Sequence, residues 1–163
     1  MVQRDPVGPG QESVWDYPRP PALELVHEQV RIEIDGREIA RSTQALRVLE
    51  TSHPPTIYIP PADIDMRTLV AAPGGSFCEW KGRAAYWSYQ TPTRQIESIA
   101  WSYASPTARF VDLAGFLAFY PSKVDAAWVG DDKVMPQAGD FYGGWITSKI
   151  VGPFKGGPGT MGW

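Results

Sequence analysis

The first clear alternation in the chain is Val30-Arg31-Ile32-Glu33-Ile34, where apolar and charged side chains take turns. A period of two puts each class on its own face of an extended backbone, so this segment predicts a strand with its isoleucines inward. Asp35-Gly36 and then Arg37-Glu38-Ile39-Ala40 follow, which predicts a hairpin with a two-residue turn. In that register Ile32 faces Ile39, and Glu33 faces Glu38, a like-charge pair that Arg31 or Arg41 can relieve. Gln95 to Tyr103 carries the cleanest alternation, with Glu97, Ile99, Trp101 and Tyr103 on one face and Ser98, Ala100 and Ser102 on the other. Thr56 to Ile59, between two Pro-Pro pairs, reads as a strand, as do Ser76 to Lys81 and Ala84 to Gln90. Val124 to Val129 and Lys133 to Met135 form a second hairpin around Gly130-Asp131-Asp132.

Helical spacing is predicted in two places only. Ser42-Thr43 offers an N-cap for a short helix through Leu46, Val48 and Leu49, which must stop before His53-Pro54-Pro55. Ser105-Pro106 opens another, with Phe110, Leu113, Ala114 and Leu117 following before Pro121 ends it.

Composition strengthens the β reading. In 163 residues there are 16 Gly, 16 Pro, 7 Trp and 7 Tyr, which implies many turns around bulky pleated faces. The length fits one domain, expected to span 14–163 behind a flexible arm at 1–13. A net charge of -3 gives no general attraction to nucleic acid or an acidic membrane. No run resembles a signal peptide or a membrane span, so a soluble, cytoplasmic monomer or weak homodimer is expected. One cysteine cannot make an intrachain disulfide, and two distant histidines, His27 and His53, do not make a zinc site with it; no metal or cofactor is implied.

The candidate chemistry gathers around an aromatic-Lys-Gly unit that occurs twice. Trp80-Lys81-Gly82 follows Phe77 and Cys78, and Phe154-Lys155-Gly156 lies in a Gly/Pro-rich tail ending at Trp163. A cation beside aromatic rings suits a small anionic or planar ligand, and the glycines leave room for close approach. Equally, both lysines fit solvated turns. The tail, with Phe141-Tyr142-Gly143-Gly144-Trp145, holds more aromatic bulk than a solvated linker needs and is expected to be ordered. Cys78 is either an inert core thiol or a nucleophile; regular alternation puts Lys81 on the opposite face from it. His53 before Pro54-Pro55 is a candidate base. Glu50, Asp125 and Asp140 are candidate acid/base groups, without a telling pair spacing.

Val14-Trp15-Asp16-Tyr17-Pro18-Arg19-Pro20, the stretch from Ala45 to Pro60, Cys78-Glu79-Trp80-Lys81-Gly82, Leu117-Ala118-Phe119-Tyr120-Pro121 and Phe141-Tyr142-Gly143-Gly144-Trp145 together resemble the bacterial and fungal family known as domain of unknown function 427. The resemblance runs from Val14 to Trp163 and implies a mainly β, β-tent-like half-open sheet or barrel with a few short helices. The family has also carried a label suggesting nucleotidyl transfer. Such enzymes resemble one another in a Gly-Ser turn followed by two metal-holding carboxylates, whereas here Asp63-Ile64-Asp65 precedes Gly75-Ser76, so the label gains no support.

The expected function is binding of a small polar or anionic ligand, with Lys81 and Lys155 as contacts and Tyr58, Tyr86, Trp101, Tyr142 and Trp145 as walls. The alternatives are an enzyme, a hydrolase or transferase acting through His53, Cys78 or Lys81, and a protein-interaction module with an exposed aromatic patch.

Overall fold

A seven-stranded antiparallel sheet frames the computed structural model, which describes residues 2–139 and 141–163. Its spatial order is Ala22–Leu25, Leu46–Leu49, Thr56–Ile59, Leu117–Phe119, Gln95–Ser102, Gly82–Gln90 and Leu69–Cys78. A four-stranded sheet joins Asp132–Lys133, Ala126–Val129, Val30–Ile34 and Arg37–Ser42. Two short pairs complete the β structure: Glu12–Ser13 runs parallel to Ile150–Val151, and Met135–Pro136 is antiparallel to Trp145–Ile146. The protein is mainly β, and none of these sheets closes into a barrel. Among the described residues no helix is long and apolar enough to cross a membrane.

The first hairpin forms around Asp35-Gly36 with a bulge that the alternation did not reveal. Ile32 pairs with Ala40 rather than Ile39, while Glu33 does face Glu38. Arg41 relieves that repulsion with two 2.6 Å hydrogen bonds to the Glu38 carboxylate. Arg31 adds a smaller favourable charge near Glu38 and lies 4.5 Å over the Trp128 ring.

Both expected helices give way to tertiary pairing. Leu46–Leu49 is a strand held between Ala22–Leu25 and Thr56–Ile59, because the backbone bonds available on both sides outweigh a weak helical preference. The segment after Ser105-Pro106 makes only a 3-10 stretch, Ala108–Leu113, whose N-cap is Thr107. A turn at Gly115 then sends Leu117–Phe119 into the gap between Thr56–Ile59 and Gln95–Ser102. Two strand readings also shift. The strand expected at Ser76 starts at Leu69 and stops at Cys78. Met135 leaves the second hairpin to pair with Ile146.

The two faces of the large sheet bury different side chains. Ile57, Ile59, Leu117 and Phe119 meet Val30, Ile32 and Ile34 of the smaller sheet in the larger core. Each such side chain, fully buried, contributes roughly 1.5–3 kcal/mol. The intervening Tyr58 and Ala118 point the other way, into a second cluster with Trp101, Tyr103, Phe110 and Leu113. The alternation of Gln95 to Tyr103 breaks at Ser98, which has φ of 48°, beside a bulge against Trp87 to Tyr89. In consequence Ile99 and Ala100 both join the larger core while Trp101 stays with the second cluster.

Candidate functional site

The second cluster is the floor of an open cavity of about 540 Å³. Strand residues Val48, Thr56, Tyr58, Tyr86 and Trp101 form its base with Tyr103, which follows the end of its strand, because alternate positions of neighbouring strands project to one face. The hairpin tip from Ser76 to Lys81 makes one wall, and Tyr142, Gly143 and Lys155 of the tail make the facing one.

Tight backbone contacts hold the tail in place. The Lys155 N–H donates to the Ser52 carbonyl at 2.9 Å, and the Trp145 N–H to the Pro55 carbonyl at 2.8 Å. Gln137, buried, clamps two tail segments at once: its Nε2 donates to the Lys155 carbonyl at 2.5 Å, and its Oε1 accepts from the Gly144 N–H at 3.1 Å. At Gly156, φ is 129° and an added Cβ would lie 2.1 Å from the Ala138 carbonyl oxygen, so only glycine allows this crossing. At Gly143 a Cβ would fall 2.5 Å from the Trp101 ring, so only a bare backbone can pass this close to the outer edge of the indole.

The rings and hydroxyls form a connected lining. Trp101 Nε1 donates to the Tyr58 hydroxyl at 3.3 Å, and Tyr86 donates to Ser76 Oγ at 2.8 Å. The Trp101 and Tyr120 ring centroids are 4.6 Å apart. Burial holds the Tyr58 and Tyr103 hydroxyls well above the usual phenol range and pushes Tyr120 up to about 12. All three therefore stay protonated and can donate.

His53 is nearly enclosed, and its ring packs edge-on against Tyr142 with centroids 4.8 Å apart. Burial, and then the charges of Lys155, Arg19 and Lys81, lower its pKa to about 4. The imidazole is thus neutral near pH 7. The Lys155 ammonium sits 5.7 Å from the Tyr142 ring centroid and donates to the Trp163 main-chain oxygen at 3.2 Å. Lys123, a lining cation the sequence did not single out, donates to the Glu97 and Ser98 carbonyls at 3.1 and 3.0 Å. Of the lining acids, Glu50 has its carboxylate 3.5 Å from Arg19 and 3.7 Å from His53. Glu79 lies at the hairpin tip.

Lys81, Lys155, His53, Cys78, Tyr58, Tyr86, Trp101 and Tyr142 thus all line one cavity. Alternation had separated Cys78 from Lys81, but the strand ends at Cys78 and the following turn swings Lys81 to the same side. Gly82 opens no path for a ligand: an added Cβ there would meet the backbone of Ser105 to Thr107. Trp145 stands apart. Its ring enters the larger core, where Nε1 donates to the Phe119 carbonyl at 3.1 Å. Among the acids, Asp125 is spent on Arg94 and the Asp35 N–H, and Asp140 lies outside the described residues. Asp63 accepts from Ser42, and Asp65 pairs with Arg67, so neither carboxylate reaches this cavity. Among the described residues no three His, Cys, Asp or Glu side chains converge as a metal would require.

A family profile described as domain of unknown function (DUF427) matches residues 22–130. The chain belongs to that family. The DUF427 match takes in the floor and the hairpin wall of the cavity and ends before the tail that supplies Tyr142 and Lys155. A search of curated proteins returns no match.

Proposed function

We propose that this DUF427 protein binds a small anionic ligand bearing a planar ring, held in the cavity beneath the tail. One observation carries the reading: two lysines 74 positions apart in sequence, Lys81 and Lys155, line the same aromatic cavity beside a neutral histidine. The cavity volume of about 540 Å³ lies in the range that small ligands occupy. Its charge favours an anion. Lys81, Lys123 and Lys155 face Glu50 and Glu79, and Arg19 already offsets Glu50. The Trp101 and Tyr120 rings offer a stacking surface, and the protonated tyrosines offer donors to an acid group.

The wall is concave, which favours a ligand over a flat interaction patch. The exposed rings of Phe77 and Phe141 stand at its lining as well. An enzyme is the second reading, since Cys78, His53 and Lys81 share the cavity; no hydrogen bond joins any two of them among the described residues.

A thermal-shift screen of nucleotides, sugars and small organic acids tests the proposal, because a ligand selective for the folded state raises the melting temperature. Acids with a ring should give the largest shifts, and the Lys81→Met/Lys155→Met variant should lose them. Shifts of equal size in wild type and the double variant would remove both lysines from the site.

A further inference from the structure

The strand Thr56–Ile59 has a second cavity on its other side. Thr56 and Tyr58 face the aromatic cavity, whereas Ile57 faces a separate hollow of about 280 Å³. The same alternation divides Val48 from Arg47 in the neighbouring strand, and the irregular tail passes from one cavity at Gly143 to the other at Trp145. Leu25, Val26, Ile57, Val129, Trp145 and Ile150 form its apolar lining, and the deepest of these are almost wholly withdrawn from solvent: Trp145 is 1% exposed, Ile57 3% and Val26 4%.

Charged groups stand around this hollow, yet they are bonded to one another. Arg47 pairs with the carboxylates of both Glu12 and Glu24, and the Tyr17 hydroxyl donates to Glu12 at 2.9 Å. Lys149 reaches Glu28 at 3.3 Å. The Gln11 amide is used at both ends, by the Ser148 carbonyl at 2.9 Å and the Gly8 N–H at 2.8 Å. Thr147 Oγ1 accepts from the Lys149 N–H at 3.4 Å. An ionic ligand would have to break one of these pairs and lose its own hydration, while an apolar one keeps them all. Among the described residues, exposed His27 at the rim is the lining polar side chain with no such bond.

We propose that this hollow is a second binding site, for a small neutral apolar molecule of the alkyl-benzene class. An apolar cavity of roughly 150 Å³ already takes benzene. The larger space here accommodates a ring with a short alkyl branch. The site stands on its own lining and does not depend on how the aromatic cavity is used.

Toluene and benzoate, alike in shape and different in charge, provide the test on the full chain. Toluene should raise the melting temperature saturably and shift the NMR signal of the Trp145 indole N–H, while benzoate leaves that signal in place. Val129→Phe and Ile150→Phe, which fill the hollow, should each abolish the toluene effect, and Lys81→Met/Lys155→Met should retain it. Should the filled variants fail to fold, wild-type crystals under xenon pressure give an independent readout, with a peak expected between Ile57 and Trp145. A Trp145 signal unmoved by toluene, an equal shift of that Trp145 signal by benzoate, a toluene shift that survives both filled variants, or an empty xenon map would each overturn the assignment.

Discussion

Replacing Gly143 by alanine probes the contact that closes the aromatic cavity. The new methyl carbon would lie 2.5 and 2.7 Å from two carbons of the Trp101 ring and 3.2 Å from Tyr120 Cδ1. Neither ring yields easily, because Trp101 is tied to the Tyr58 hydroxyl at 3.3 Å and packed on Tyr120. The tail must therefore lift by about 1 Å to reach ordinary contact distance. Overpacking of this kind costs about 1–3 kcal/mol, against which the stiffer unfolded chain returns about 0.4–1 kcal/mol. At the middle of these ranges the net loss is about 1 kcal/mol, which corresponds to a fall in melting temperature of roughly 2–4 °C for a chain of this size. Gly162→Ala is the control, since an added Cβ there meets nothing within 4 Å. Calorimetry on both variants, with near-ultraviolet circular dichroism following the tryptophan environment, gives the comparison. A Gly143→Ala protein that melts no lower than Gly162→Ala, with an unchanged aromatic spectrum, would refute the packing of tail on Trp101.

Gln137→Leu removes the amide that joins the Lys155 carbonyl to the Gly144 N–H. The buried Gly144 N–H and the part-buried Lys155 carbonyl each lose this partner, so urea unfolding should show a loss of about 1–3 kcal/mol, with faster hydrogen exchange at Gly144. His53 gives a pH dependence with a defined sign. Its folded pKa of about 4 lies below the model-peptide 6.5, so between these values the unfolded chain binds a proton that the folded one refuses. Stability falls as pH drops from about 6.5 to 4, by up to on the order of 3 kcal/mol, and His53→Asn should flatten that part of the profile. An anion beside Lys155 and Lys81 screens the charges that depress His53, so saturating benzoate should move the imidazole NMR midpoint upward. A midpoint unchanged by any ring-bearing acid would count against an anion in that position.

Local pattern was enough for much of the sheet. Val30–Ile34, Thr56–Ile59 and the hairpin across Asp35-Gly36 are strands because period-two alternation and turn chemistry agree with the tertiary fold. Leu46–Leu49 and Leu117–Phe119 were hidden, since their strand state is decided by partners distant in sequence. The candidate site was partly legible for a related reason. The excess of rings around Lys81 and Lys155 signalled two packed segments, and both line one cavity. Trp145 was misplaced because the irregular tail crosses from one cavity to the other between Gly143 and Trp145, and no local pattern marks that crossing. Gln137 gave no signal at all: a lone amide becomes a clamp only when the segments it joins are already together.

The most direct measurement is a crystal structure of the full chain soaked with benzoate and with phenyl phosphate. The account predicts density in the cavity, with the acid group between Lys81 and Lys155 near His53 and the ring against Trp101 or Tyr120. Density confined to other surfaces, or an acid group bound there away from both lysines, would contradict it.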